Sequence, residues 1–138
     1  MDGLYRFGVS LDKSLISRFD RLLRRRRYSN RSEAIRDLIR ASLVAQEWAD
    51  GGRVAGAITL AYDHHQRELI TRLVDIQHDY ASLIVSTQHV HLDHHNCLEI
   101  IAVRGRARQA QELTDRLRAE RGVKHVTLSM TTTGRGLT

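Results

Sequence analysis

The alternation from Tyr5 to Leu11 limits how this chain can fold more than any other stretch. Phe7, Val9 and Leu11 fall on one side of an extended backbone and Arg6, Gly8 and Ser10 on the other, the pattern of a short half-buried strand. Two helices follow. Asp12 is placed to cap the first, whose apolar positions are Leu15, Ile16, Phe19, Leu22 and Leu23, and which ends in the run Arg24 to Arg27. Asn30 caps the second, with Glu33 at the N3 position of a capping box, and its stripe is Ala34, Ile35, Leu38, Ile39 and Leu43. One strand and two helices in so short a stretch bury too little apolar surface to stand alone, and a lone strand leaves both edges unpaired. The unit is therefore expected to dimerise, pairing its strand with a two-fold mate. The outer face of that ribbon carries Arg6 and Ser10 from each chain, and such a ribbon fits the major groove of double-stranded DNA.

Charge is distributed to match. The 138 residues carry a net charge of +6, and the first 45 hold eleven Lys and Arg against five Asp and Glu, so the remainder balances to zero. A polyanion is the natural partner of the basic end. Taken individually, Arg24 to Arg27 are either phosphate contacts or a solvated helix end. No apolar run approaches the roughly 18 residues of a membrane span, and the start MDGLYRFGVS lacks a secretory apolar stretch, so a cytoplasmic protein without a membrane partner is expected.

Asp50-Gly51-Gly52 interrupts the helical pattern and marks a boundary. Beyond it Val54 to Tyr62 reads as a strand, and Leu69, Ile70, Leu73 and Val74 give a helix running toward His78. Leu83 to Leu92 and Cys97 to Val103 read as two strands, Gly105 and Gly122 bracket a helix with Ala110, Leu113 and Leu117 inward, and Val123 to Met130 is a last strand. The order is βαββαβ, a ferredoxin-like unit, and the fold class is α+β. The expected organisation is a βαα head over 1–48, a linker over 49–53, a ferredoxin-like domain over 54–131, and a flexible tail over 132–138.

Within this second domain, His89-Val90-His91 is followed six residues later by Cys97, the one cysteine, with His78 upstream. Histidines at i and i+2 on a strand point to one side, and a hairpin return brings a cysteine beside them. If His91 faces Cys97, then His89, His91, Cys97 and Glu99 share one face. Val90, Leu92, Leu98 and Ile100 then form the apolar face expected to seal the core. His78 is the natural fourth ligand. Three imidazoles and a thiolate suit tetrahedral Zn(II) as well as square-planar Ni(II) or Cu(II). Glu99 either orients a ligand from behind or is a solvated carboxylate. His64, His65, His94, His95 and His125 lack a matching partner and read as exposed polar residues.

The stretches RFGVSLD and YSNRSEAIRDLIR resemble the ribbon-helix-helix repressors. That resemblance implies that Arg6, Gly8 and Ser10 occupy base-reading positions, and that Asn30, Arg31 and Ser32 start a helix that grips phosphate. Gly8 departs from it, offering no side chain where many relatives place threonine. The segment QHDYASLIVSTQHVHLDHHNCLEI is similar to the regulatory core of the nickel-responsive transcriptional regulators, and the two resemblances together cover nearly the whole chain. They imply an ACT-type ferredoxin-like domain and a homotetramer built as a dimer of dimers. They also imply one Ni(II) per subunit, held in a plane by His78, His89, His91 and Cys97, the first histidine donated by a neighbouring subunit. Tyr62 and His64, in the family-like YDHHQREL stretch, are then candidates to lie beside the metal. Relatives use carboxylates matching Glu33 and Asp37 for a second, weaker cation site. The plain alternative is an acidic pair held by Arg36 or Arg40.

Four protein ligands leave no ready position for substrate or activated water, which points to a sensor rather than an enzyme. The expected function is a nickel-dependent repressor acting on operator DNA, with nickel-uptake genes as the family's usual targets. The alternative keeps the DNA-binding head and makes the ACT-type domain a sensor of a small molecule or of copper or zinc. A zinc hydrolase would leave the basic head unexplained, and an antitoxin-like module would carry a disordered tail rather than a second folded domain.

Overall fold

A computed structural model describes residues 3–138, so the first two residues of the expected head lie outside it. The chain forms two compact units, Met1–Arg40 and Ala41–Thr138.

In the first unit, α1 (Lys13–Arg25) begins after Asp12, which holds the N-cap position without a side-chain capping bond. Its end is a Schellman turn: the Tyr28 amide donates to the Leu23 carbonyl at 3.0 Å and the Arg27 amide to Arg24 at 3.2 Å. Arg27 takes a φ of 59° there, a left-handed position that glycine normally holds. Asn30 Oδ1 accepts from the Glu33 amide at 2.9 Å, capping α2 (Arg31–Ala49) as expected. The Glu33 carboxylate departs from a capping box by accepting from the Ser29 hydroxyl at 2.8 Å.

The expected strand over Tyr5 to Leu11 is absent. Residues 3–12 ahead of α1 are neither helix nor strand, and Phe7, Val9 and Leu11 are 62, 60 and 50% exposed rather than half-buried. The reason is physical: a strand exists only through its ladder partner, and one copy of this chain supplies none.

In the second unit the last turns of α2 pack on the sheet, with Trp48 buried and its indole N–H donating to the Thr131 carbonyl at 2.9 Å. The compact units thus divide inside α2, whereas the glycine signal sits at its end. There Gly51 (φ 73°) closes the helix and the Gly52 amide donates to Glu47 at 2.9 Å. The strands β1 (Arg53–Asp63), β2 (Ile84–His91), β3 (Asn96–Arg106) and β4 (Val123–Met130) alternate with α3 (Arg67–Asp79) and α4 (Ala107–Ala119) as βαββαβ. The sheet order is β2-β3-β1-β4 with every neighbouring pair antiparallel. Thr131–Thr138 contains no helix or strand.

Both helices pack on one face of the sheet. Leu69, Leu73 and Ile76 of α3 and Ala110, Leu113 and Leu117 of α4 meet Val54, Ile58 and Leu60 of β1 and Cys97, Ile101 and Val103 of β3. This reverses one expectation about the β2–β3 hairpin. Its Cys97 and Glu99 side faces the core, whereas Leu98 and Ile100 are only half-buried and Leu92 is exposed. Helix-side cover, not apolarity of the hairpin alone, decides which face is inside. No described helix is long and apolar enough to cross a membrane.

Gly56 is where the close approach of Trp48 is made. A Cβ there would sit 2.7 Å from the Ser129 carbonyl oxygen and 3.3 Å from the indole. Gly56→Ala is expected to destabilise the second unit by about 1 to 3 kcal/mol, as overpacking does, read by denaturant unfolding.

Candidate functional site

The β2–β3 register pairs His91 with Cys97 and His89 with Glu99, and β1 extends the rows by pairing Tyr62 with Cys97 and Leu60 with Glu99. Side chains opposite one another across an antiparallel pair point to the same face. Three of the four expected ligands, His89, His91 and Cys97, therefore lie side by side at the edge of the helix-covered face.

Glu99 organises them. Its carboxylate is buried, and it accepts from the Tyr62 hydroxyl at 3.0 Å on one oxygen. The other oxygen faces the Gln77 amide at 3.0 Å and His89 Nε2 at 3.1 Å. It is thus no solvated carboxylate but the group that fixes the His89 ring, leaving Nδ1 as the nitrogen open to a cation. Burial, followed by the neighbouring Glu99 and Cys97, drives the Tyr62 hydroxyl far above its usual range and keeps it a neutral donor.

His64 stacks on His91 with ring centroids 4.6 Å apart and an interplanar angle of 3°. Its Nε2 is buried without a hydrogen-bond partner. The orphaned His64 nitrogen is carried by a ring stacked on His91, which is itself paired with the buried Cys97, and imidazole and thiolate donors suit nickel, copper and zinc. His78 stands apart from this group. It follows Gln77 on the last turn of α3, and since Gln77 turns inward to Glu99, His78 is exposed.

In the first unit, Arg6, Gly8 and Ser10 are all exposed, and no atom lies within 4 Å of a Cβ built on Gly8. Asn30, Arg31 and Ser32 lie exposed at the start of α2. Arg31 differs from expectation in being already engaged: its guanidinium grips Asp20 through two bonds of 3.0 and 2.9 Å. Asp37 accepts from the Tyr28 hydroxyl at 2.8 Å and lies 3.5 Å from Arg40, while Glu33 holds Ser29, so local partners satisfy this acidic pair.

Sequence reasoning missed Gln77 and the loop residues Asp63, His65 and His95. A repeated tripeptide, Asp-His-His at 63–65 and at 93–95, is the signal that would have found the loop residues.

Residues 55–131 match the family model of the NikR C-terminal nickel-binding domain, and residues 5–46 match that of the ribbon-helix-helix proteins of the copG family. A Chlorobium limicola protein with nickel-responsive regulator in its name is 58% identical over 134 residues, covering 97% of this chain and 100% of its own length. A Desulfovibrio desulfuricans protein named likewise is 56% identical over 137 residues, 99% of either chain. One from Syntrophus aciditrophicus is 54% identical over 134 residues, 97% of this chain and 98% of its own.

The Arg31 fork holds the Asp20 carboxyl below its ordinary value of 3.8. A carboxyl lowered in the folded state adds stability above its unfolded pKa, and that stability is lost as pH falls through the lowered value. Arg31→Ala is expected to return Asp20 to the ordinary range, which carboxyl chemical shifts across an acid titration measure directly.

Proposed function

Because the chain belongs to the nickel-responsive regulators, with a ribbon-helix-helix DNA-binding domain and a nickel-binding domain, we propose that it is a nickel-dependent repressor of nickel-uptake genes. In this reading it works in the cytoplasm as a homotetramer, a dimer of dimers, and senses rather than catalyses. One Ni(II) per subunit is held by His89, His91 and Cys97 together with His78 of a neighbouring subunit.

The register pairing of His91 with Cys97 and His89 with Glu99 carries this proposal. It supports a ligand group that one chain leaves incomplete. His78 is exposed, so that a second copy can present its own to this group. Bound there, nickel supplies a link between protomers. The residues of this chain do the rest: Glu99 orients His89, Tyr62 donates to Glu99, and burial shields the Cys97 sulfur from water.

The exposed apolar side chains of the head support dimerisation. Phe7, Val9, Leu11, Leu15, Leu38 and Ile39 each expose about half or more of their surface, far more than a soluble unit leaves open in water. Pairing two Tyr5–Leu11 segments satisfies their backbone edges and turns Arg6 and Ser10 outward to bases. The backbone amides at the start of α2 remain for phosphate.

Coupling between metal and DNA follows as a population shift, in which protomers linked through the metal favour the arrangement whose two heads match two operator half-sites. Allosteric coupling of about 1 to 3 kcal/mol, roughly 5- to 150-fold in affinity, is typical, and each ligand then tightens the other equally.

Stoichiometric Ni(II) is expected to raise a thiolate-to-metal charge-transfer absorption and to tighten operator binding, and Cys97→Ser to abolish both. A variant that still responds to nickel on DNA overturns the ligand assignment. Arg6→Ala is expected to cost about 1 to 3 kcal/mol at a cognate operator and to relax base preference there. Equal loss on every sequence makes Arg6 a phosphate contact instead.

A further inference from the structure

We propose that Asp63, His65 and His95 form a second, solvent-facing site for a divalent metal, separate from the ligand group of His89, His91 and Cys97. One donor atom from each of the three lies within 4.8 Å of the other two, and His65 Nδ1 is already 3.4 Å from Asp63 Oδ1. Donors around a tetrahedrally held cation with bonds near 2.1 Å lie about 3.4 Å apart, so the Asp63–His65 pair stands at binding distance. His95 closes the remaining gap by side-chain rotation, which its exposure permits.

The backbone beneath is ordered before any ion arrives. Asp63 and Asn96 are the last registered pair of β1 and β3, and the His64 amide donates to the His95 carbonyl at 3.0 Å, joining the two loops. In each loop the aspartate of the Asp-His-His tripeptide accepts from the amide two residues on, Asp63 from His65 at 2.9 Å and Asp93 from His95 at 2.8 Å. This repeated turn throws both second histidines to the same side. The His65 and His95 rings stand 5.3 Å apart, and His94 lies 4.9 Å from His95 and 5.1 Å from His65.

Exposed imidazoles gain little from mutual contact in water, whereas two imidazoles and a carboxylate are the donor set of open-sided divalent sites. With three protein donors and solvent at the remaining positions, the site exchanges metal readily and binds more weakly than one holding a buried thiolate. It takes borderline cations of the Ni(II), Cu(II) and Zn(II) class. His64 separates the two groups, its ring against His91 on one side and 4.2 Å from His65 on the other.

The test is equilibrium dialysis of the full-length apo protein against Ni(II) and, separately, Zn(II), with the near-ultraviolet charge-transfer band followed in the nickel series. Wild type is expected to bind a weaker equivalent after the band has saturated. His65→Ala combined with His95→Ala is expected to lose that equivalent and keep the band, and Asp63→Asn, which preserves the side-chain shape, to weaken the same equivalent alone. Far-ultraviolet circular dichroism verifies that each variant is folded. Retention of the weaker equivalent in the double variant, or its absence from wild type, overturns the second site. Loss of the band through Cys97→Ser leaves the weaker equivalent in place, so failure of the thiolate site and failure of this one read out separately.

Discussion

The carboxylate of Glu99 is the contact on which the His89 to Cys97 end of the sheet depends. Taken alone, a buried carboxylate costs several kcal/mol of lost hydration, and it is tolerable only where donors surround it. Here they come from three separate elements: Tyr62 on β1, His89 on β2 and Gln77 on α3. Each hydrogen bond to a charged acceptor contributes about 1.5 to 3 kcal/mol, and together they make a single arrangement of strands and helix far better than its neighbours. One group thereby sets the tautomer and tilt of His89, holds the Tyr62 hydroxyl over Cys97, and decides which way the last turn of α3 faces. The orientation of His78 is a by-product of Gln77 turning inward.

The two units solve the problem of apolar surface in opposite ways. The second closes a core of its own, with Ile58, Ile101, Leu113 and Leu117 fully buried beneath two helices. The first leaves Leu4, Tyr5, Phe7 and Val9 at 60% exposure or more and keeps Leu23 and Ala34 as its buried residues. In the proposed dimer a second copy covers these side chains and supplies the partner that a strand over Tyr5 to Leu11 requires. In the proposed assembly, association of the head follows from its shortage of core, and the metal link of the domain from the one ligand that a single chain lacks. Under that proposal both deficits are met by the same remedy, another copy of the chain.

Much of this was legible in the residue pattern. The βαββαβ order followed from period-two and period-3.6 stripes, because the helices are amphipathic and the strands short, whereas the pairing of His91 with Cys97 entered as a supposition about the hairpin register that the structure matches. The inner face of the hairpin was not legible. Leu98, Ile100, Cys97 and Glu99 are each plausible core residues until the helices are placed, and a carboxylate argues for the outside unless its partners are known. Those partners lie up to 37 residues away in sequence. The convergence of His65 and His95 was hidden for a similar reason, since it depends on the pairing of Asp63 with Asn96 across two loops.

What the order of amino acids settled alone is the local and the compositional: a basic head with one strand's worth of alternation, caps such as Asn30, stop signals such as Gly51, and a His-x-His with a cysteine one hairpin away. These depend on neighbours within a few residues, where steric and hydrogen-bonding preferences act without reference to the rest of the chain. Tertiary structure alone decided which sheet face is covered, that the Glu99 carboxylate joins Tyr62, Gln77 and His89, that Arg31 is already held by Asp20, and that two Asp-His-His loops meet. Each of these is a statement about groups far apart in sequence and close in space, and burial and charge satisfaction are defined only once that distance is known.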